Sequence, residues 1–70
     1  MDARRIRLNG EPFETGAATL VDLLRQLELG ETAGGVAVAV NGTVIPRSDW
    51  SGHVLQVGDR VELVGAVQGG

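Results

Sequence analysis

Leu20, Leu23, Leu24 and Leu27 return at intervals of three and four within "TLVDLLRQLELG", so one stripe of a helix is apolar and its other sides are polar. A helix of that kind needs cover from one side only. Thr19 precedes the stripe as its N-cap, and Asp22 sits three residues on, where the acid of a capping box belongs, although Asp is shorter than the usual Glu. Gly30 suits the left-handed position just past a helix end. The spacing predicts a helix over about residues 20 to 28.

The rest of the chain alternates with period two. "RRIRLNGEPFET" reads as a hairpin: Ile6 and Leu8 interleave with arginines, Asn9-Gly10 supplies the two positive φ angles of a type I′ turn, and Phe13 falls on the returning strand. Pro12 has no N–H for a ladder and places that second strand at a sheet edge. "VAVAVNG" predicts a buried strand running into a second Asn-Gly turn, followed by a short "TVIP" strand that Pro46 ends. One helical turn is expected over "RSDW", with Trp50 folded back over the core. "VGD" at 57 to 59 is a turn, and "RVELV" alternates with Val61 and Leu63 on one face and Arg60, Glu62 and Val64 on the other. One half-apolar helix and about five short strands make an α+β layer, a mixed sheet covered on one face by one main helix. That order is the β-grasp, or ubiquitin-like, arrangement, with first and last strands parallel at the centre of the sheet. Residues 1–64 are expected to form the domain and residues 65–70 a flexible tail.

Seventy residues make a small core, near the lower limit for folding without disulfides or metal, and the chain has no cysteine. All six basic residues are arginines, so there is neither a thiol nor a lysine amine on which to carry a group. A net charge of −3 disfavours a nucleic-acid partner. Arg5 and Arg7 read as the solvated side of a strand. No apolar run has the length of a membrane span or signal peptide, which predicts a cytoplasmic protein that does not engage the membrane.

Internal candidates for catalysis are weak. His53 is a lone histidine, read as a surface or turn residue; Asp49 and Asp59 flank turns; Ser48 and Ser51 have no base at a recognisable spacing. Gly34-Gly35 lies in "ETAGGVAV", which has neither the lysine of a P-loop nor Rossmann spacing. The chain is therefore expected to be no enzyme and to bind no metal or cofactor of its own. What remains is the end, "VGAVQGG". A terminal carboxylate is ionised at neutral pH and is a poor electrophile until activated, most economically by attack on the α-phosphate of ATP in a partner enzyme. Glycine suits such a reaction because no Cβ shields the acyl carbon. Drawn out, residues 65 to 70 reach about 20 Å.

The stretch "VAVAVNGTVIPRSDWSGHVLQVGDRVELVGAVQGG", residues 36 to 70, resembles the C-terminal half of the sulfur carrier proteins of thiamine biosynthesis. The features that carry the resemblance are Asn41-Gly42, "VIPR" with Trp50 nearby, His53, the Gly58-Asp59 turn, "VEL" and the closing Gly-Gly; the leucine helix fits less specifically. The resemblance implies a β-grasp carrier whose Gly70 carboxylate is adenylated by an ATP- and Mg-dependent activating enzyme and converted to a thiocarboxylate. Sulfur would come ultimately from a cysteine persulfide, through a donor such as a cysteine desulfurase, and would pass to thiazole synthase. Gly70 is then the modified residue, and Gly69, Gln68 and Val67 form the tail required for activation, Val67 as its anchor. Val64 and Ala66 are the expected docking residues. Trp50 and His53 match family positions and are read as packing or turn residues. Two related readings share the Gly-Gly tail: the small subunit of molybdopterin synthase, and a ubiquitin-like modifier that forms amides with target lysines. A third is a β-grasp binding module with an inert tail.

Overall fold

The computed structural model describes residues 3–29 and 35–65. Strands β1 (Arg4–Leu8) and β2 (Glu11–Thr15) form the expected antiparallel hairpin, pairing Ile6 with Phe13. Asn9 at φ 52° and Gly10 at φ 86° make its turn, the left-handed pair that matches the twist of the two strands. β2 is an edge strand, as Pro12 requires.

Helix α1 (Leu20–Gln26) starts where Thr19 caps it, with Asp22 N–H donating to Thr19 Oγ1 at 3.3 Å. The Asp22 carboxylate lies 3.5 Å from Arg25 Nη1, one helical turn on. The far end differs from expectation. Glu28, at φ 65°, is the left-handed residue; its N–H donates to Arg25 O at 2.9 Å, and Leu29 N–H donates to Leu24 O at 2.8 Å. This is the Schellman pattern, and its physical cause is Leu29: turning the chain at Glu28 brings Leu29 back against the core. Gly30 lies outside the described residues.

β3 (Val36–Val40) and the two-residue β4 (Thr43–Val44) flank the second Asn-Gly turn, with Asn41 at φ 54° and Gly42 at φ 86°. A 3-10 helix (Arg47–Gly52) carries Trp50 back over the core. Its indole Nε1–H donates to Ile45 O at 2.8 Å, and the Arg47 guanidinium lies 5.9 Å from the ring centroid. β5 (Arg60–Gly65) then enters the sheet, whose order is β2-β1-β5-β3-β4. β1 and β5 are parallel neighbours at the centre, as the β-grasp reading predicts. The stripe of α1 packs on one face: Leu20, Leu23 and Leu24 meet Ile6, Val38, Val40, Val61, Trp50 and Leu55 in one buried cluster. Truncating one such leucine to alanine costs about 2–5 kcal/mol, a large part of a small domain's stability.

Two asparagine side chains hold β5 in place. Asn9 Oδ1 accepts from Leu63 N–H at 2.8 Å, just where β1 has turned away, and so stands in for the missing strand acceptor. On the other side Asn41 Oδ1 accepts from Arg60 N–H at 2.9 Å, while its Nδ2 donates to Asp59 Oδ1 at 3.0 Å. Asp59 is only 8% exposed, and its other oxygen accepts from Gln56 N–H at 2.9 Å. The same side chain thus closes the turn at 56–59 and ties it to the Asn41 turn.

Replacing Asn41 with Asp sets a second carboxylate against Asp59 and removes a donor from it. Urea unfolding of Asn41→Asp should show a loss of about 1–3 kcal/mol, whereas Asn9→Asp, which keeps an acceptor for Leu63 N–H, should stay within about 0.5 kcal/mol of the parent. Equal losses would show that the Asp59 contact is not what distinguishes the two turns. Glu28→Gly removes a Cβ from a left-handed position and should raise stability by roughly 0.5–1 kcal/mol, read as a higher unfolding midpoint at constant slope.

Candidate functional site

β5 is the strand that leads towards the chain's end. It is paired with β3 from Val61 to Gly65, and the register reaches Val36↔Gly65, so the first residue assigned to the tail from sequence lies in the sheet. Ala66, Val67, Gln68, Gly69 and Gly70 lie outside the described residues. On the β1 side the register stops at Leu8↔Val61, and Asn9 Oδ1 reaches one step further, to Leu63. Among the described residues, Val64 and Gly65 have only β3 beside them.

Among the described residues, α1 covers one face of the sheet and no helix covers the other. On the open face of β5, Arg60, Glu62 and Val64 point outwards, opposite in sense to the core residue Val61. Val64 is 63% exposed and stands across from Ala37. Ala39 stands across from Glu62 on one side and from Val44, 68% exposed, on the other. These four small apolar side chains cross three strands near the end of β5. Sequence reasoning picked out Val64 and not Ala37, Ala39 or Val44; the signal available was the alanine alternation of "VAVAV" on the non-core face. At the start of β5 the same face is cationic. Arg5 and Arg7 project from β1 beside Arg60, as their alternation with Ile6 and Leu8 requires, and Arg5 Nη2 lies 3.2 Å from Glu14 Oε2.

The weak catalytic candidates lie close together on the surface. Ser48, Asp49, Ser51 and His53 border one shallow hollow on the 3-10 helix, yet no hydrogen bond joins their side chains. A nucleophile without a base in contact is not activated. His53 acts through its backbone: its carbonyl accepts from Leu20 N–H at 3.1 Å, and its N–H donates to Trp50 O at 3.4 Å, which ties the 3-10 helix to the start of α1. Among the described residues, no group of three or more His, Cys, Asp or Glu side chains is placed to hold a metal ion, and no helix is long and apolar enough to cross a membrane.

Comparison with known proteins bears on the open end of β5. The model of the ThiS family matches residues 6–70. The sulfur carrier protein ThiS of Escherichia coli (strain K12) is 33% identical over 67 residues, which span 94% of this chain and 98% of that protein. The crystal structure of the thiamine biosynthesis protein ThiS from Geobacter metallireducens superposes with a TM-score of 0.79 at 30% identity, covering 94% of this chain and 99% of the other. A chain from the protein-protein complex of subunits 1 and 2 of molybdopterin-converting factor from Helicobacter pylori 26695 is similar at a TM-score of 0.60 and 28% identity, over 99% of this chain and 100% of that one. With the match running from the buried Ile6 of β1 through the Gly-Gly pair, and the fold shared with a thiamine biosynthesis protein, the chain belongs to the ThiS family.

Proposed function

We propose that this protein carries sulfur for thiamine biosynthesis on the carboxyl group of Gly70. The observation that carries the reading is that the family match extends through residue 70, five positions in sequence beyond a strand held in the centre of the sheet. In the reaction, a Gly70 carboxylate oxygen attacks the α-phosphate of ATP and pyrophosphate leaves. A persulfide sulfur then displaces AMP from the acyl carbon, and a thiol cleaves the resulting acyl disulfide to release the thiocarboxylate. ATP and Mg belong to the activating enzyme, the sulfur to a donor such as a cysteine desulfurase, and the acceptor is thiazole synthase, all in the cytoplasm.

The carrier's part is mechanical. Five residues beyond Gly65, drawn out, span about 17 Å, enough to pass Gly69 and Gly70 into a partner's active site while the domain stays outside. Ordering them costs roughly 1–2 kcal/mol per residue, which Gln68, the anchor Val67, and contacts at Ala66 and Val64 offset. The strip of exposed Val64, Ala37 and Val44 around half-buried Ala39 supports that docking role. Similarity to the molybdopterin-converting factor chain supports a second reading, in which the same thiocarboxylate serves a molybdopterin synthase, but the likeness is weaker than that to the thiamine protein.

Incubation with the activating enzyme, ATP and a persulfide donor should add to the intact mass the difference of one oxygen-for-sulfur exchange, located by fragmentation in the last residue. A mass that stays unchanged with a competent enzyme sinks the proposal, and a stable conjugate to lysine would point instead to a modifier. Deleting Gly70 should abolish this conversion with the unfolding midpoint unaltered, because the residue lies beyond the paired strand.

A further inference from the structure

Arg7 of β1 and Arg60 of β5 are register partners, so two guanidinium-bearing side chains leave neighbouring strands side by side on the open face. Like charges in that relation are destabilising. Arg5 projects from β1 on the same side. The chain has nine acidic residues to its six arginines, yet among the described residues only Arg5 has a carboxylate within ion-pair distance here, that of Glu14. Arg7 donates to the Gly10 carbonyl at 2.8 Å, and the Arg60 guanidinium has no carboxylate partner within the described residues. Between the arginines lies a cleft of about 440 Å³ with Pro12, Gly58 and the 73%-exposed Val57 in its lining.

We propose that the cleft of Arg5, Arg7 and Arg60 docks an acidic segment of the enzyme that activates the tail, a proposal that rests on the carrier reading. Cationic heads around an apolar lining fit carboxylate side chains borne on a segment that also presents an apolar residue to Pro12 and Val57. A polyanion such as nucleic acid would meet the net charge of −3 carried by the whole chain. Bringing carboxylates to the cleft relieves the Arg7–Arg60 repulsion, so the free carrier holds an unfavourable contact that the complex removes. Position gives the contact its use. Arg60 and Val64 share the outward face of β5, four residues or about 13 Å apart. A partner that holds the cleft and the apolar strip together grips β5 at two points and sets the direction in which the chain leaves Gly65. The arginines would steer the encounter from a distance, and the tail would do the chemistry.

The test compares the wild-type carrier, Arg7→Glu/Arg60→Glu, Arg7→Ala/Arg60→Ala and the control Arg25→Glu on α1, as substrates of the activating enzyme across a salt series. Conversion is read as the mass gain at Gly70. The glutamate pair should raise KM about tenfold with kcat at saturation unchanged, and should flatten the dependence of KM on salt. The alanine pair should raise KM by less while unfolding at the same temperature as wild type or higher, a combination that damage to the fold does not produce. Arg25→Glu should behave as wild type. Wild-type KM and salt dependence in the glutamate pair would overturn the docking cleft and leave the carrier reading standing, as would an equal KM rise in Arg25→Glu. Failure of the wild-type protein itself to gain mass would instead overturn the carrier reading.

Discussion

The parallel pairing of β1 with β5 is the contact on which the rest of this structure depends. It joins residues more than fifty positions apart, Arg7 with Arg60 and Leu8 with Val61, so the largest loop in the chain closes with it. Until β5 is in place Val61 is missing from the floor beneath α1, and the leucine stripe has no continuous surface to cover. Only two register pairs make up the β1–β5 ladder itself. The asparagines extend it: Asn9 carries hydrogen bonding on to Leu63, and Asn41 fastens Arg60 from the β3 side. Each Asn-Gly turn therefore does two things, reversing a hairpin through its backbone and securing the central strand through its side chain.

That arrangement explains how so small a domain can serve chemistry without performing any. Among the described residues, α1 buries one face of the sheet, and the other face carries small apolar and cationic side chains with the acids Glu14 and Glu62 between them. The strand that runs under this surface is the one that continues in sequence towards Gly70. Pairing holds that strand in one conformation as far as Gly65, the last of the described residues, which stands opposite Val36. Asp59 shows the same economy: one carboxylate satisfies two turns and keeps Asn41 facing β5.

Much of this was legible in the chain because it is local. Leucines three and four apart, a threonine before them and two Asn-Gly pairs specify α1, its cap and both hairpins through interactions within a few residues. Trp50 was readable too, as the only indole in a chain with few aromatic residues to fill a core. The end of α1 was not. Gly30 looked like the better left-handed residue, but burial of Leu29 fixes the turn at Glu28, and burial is a property of the assembled core. Gly65 likewise reads as the start of a loose end, and its pairing with Val36 comes from a register set across the sheet.

By itself the sequence determined the inventory: one half-apolar helix, short alternating strands, no thiol or lysine amine, and a closing pair of glycines whose resemblance to thiamine sulfur carriers the family match upholds. It determined as well that Arg5, Arg7, Arg60 and Val64 face away from the core, since period two depends on nearest neighbours alone. Only the tertiary structure decided that Arg7 would stand beside Arg60 and Val64 beside Ala37. Those juxtapositions depend on the register between strands far apart in the chain, which no local period encodes.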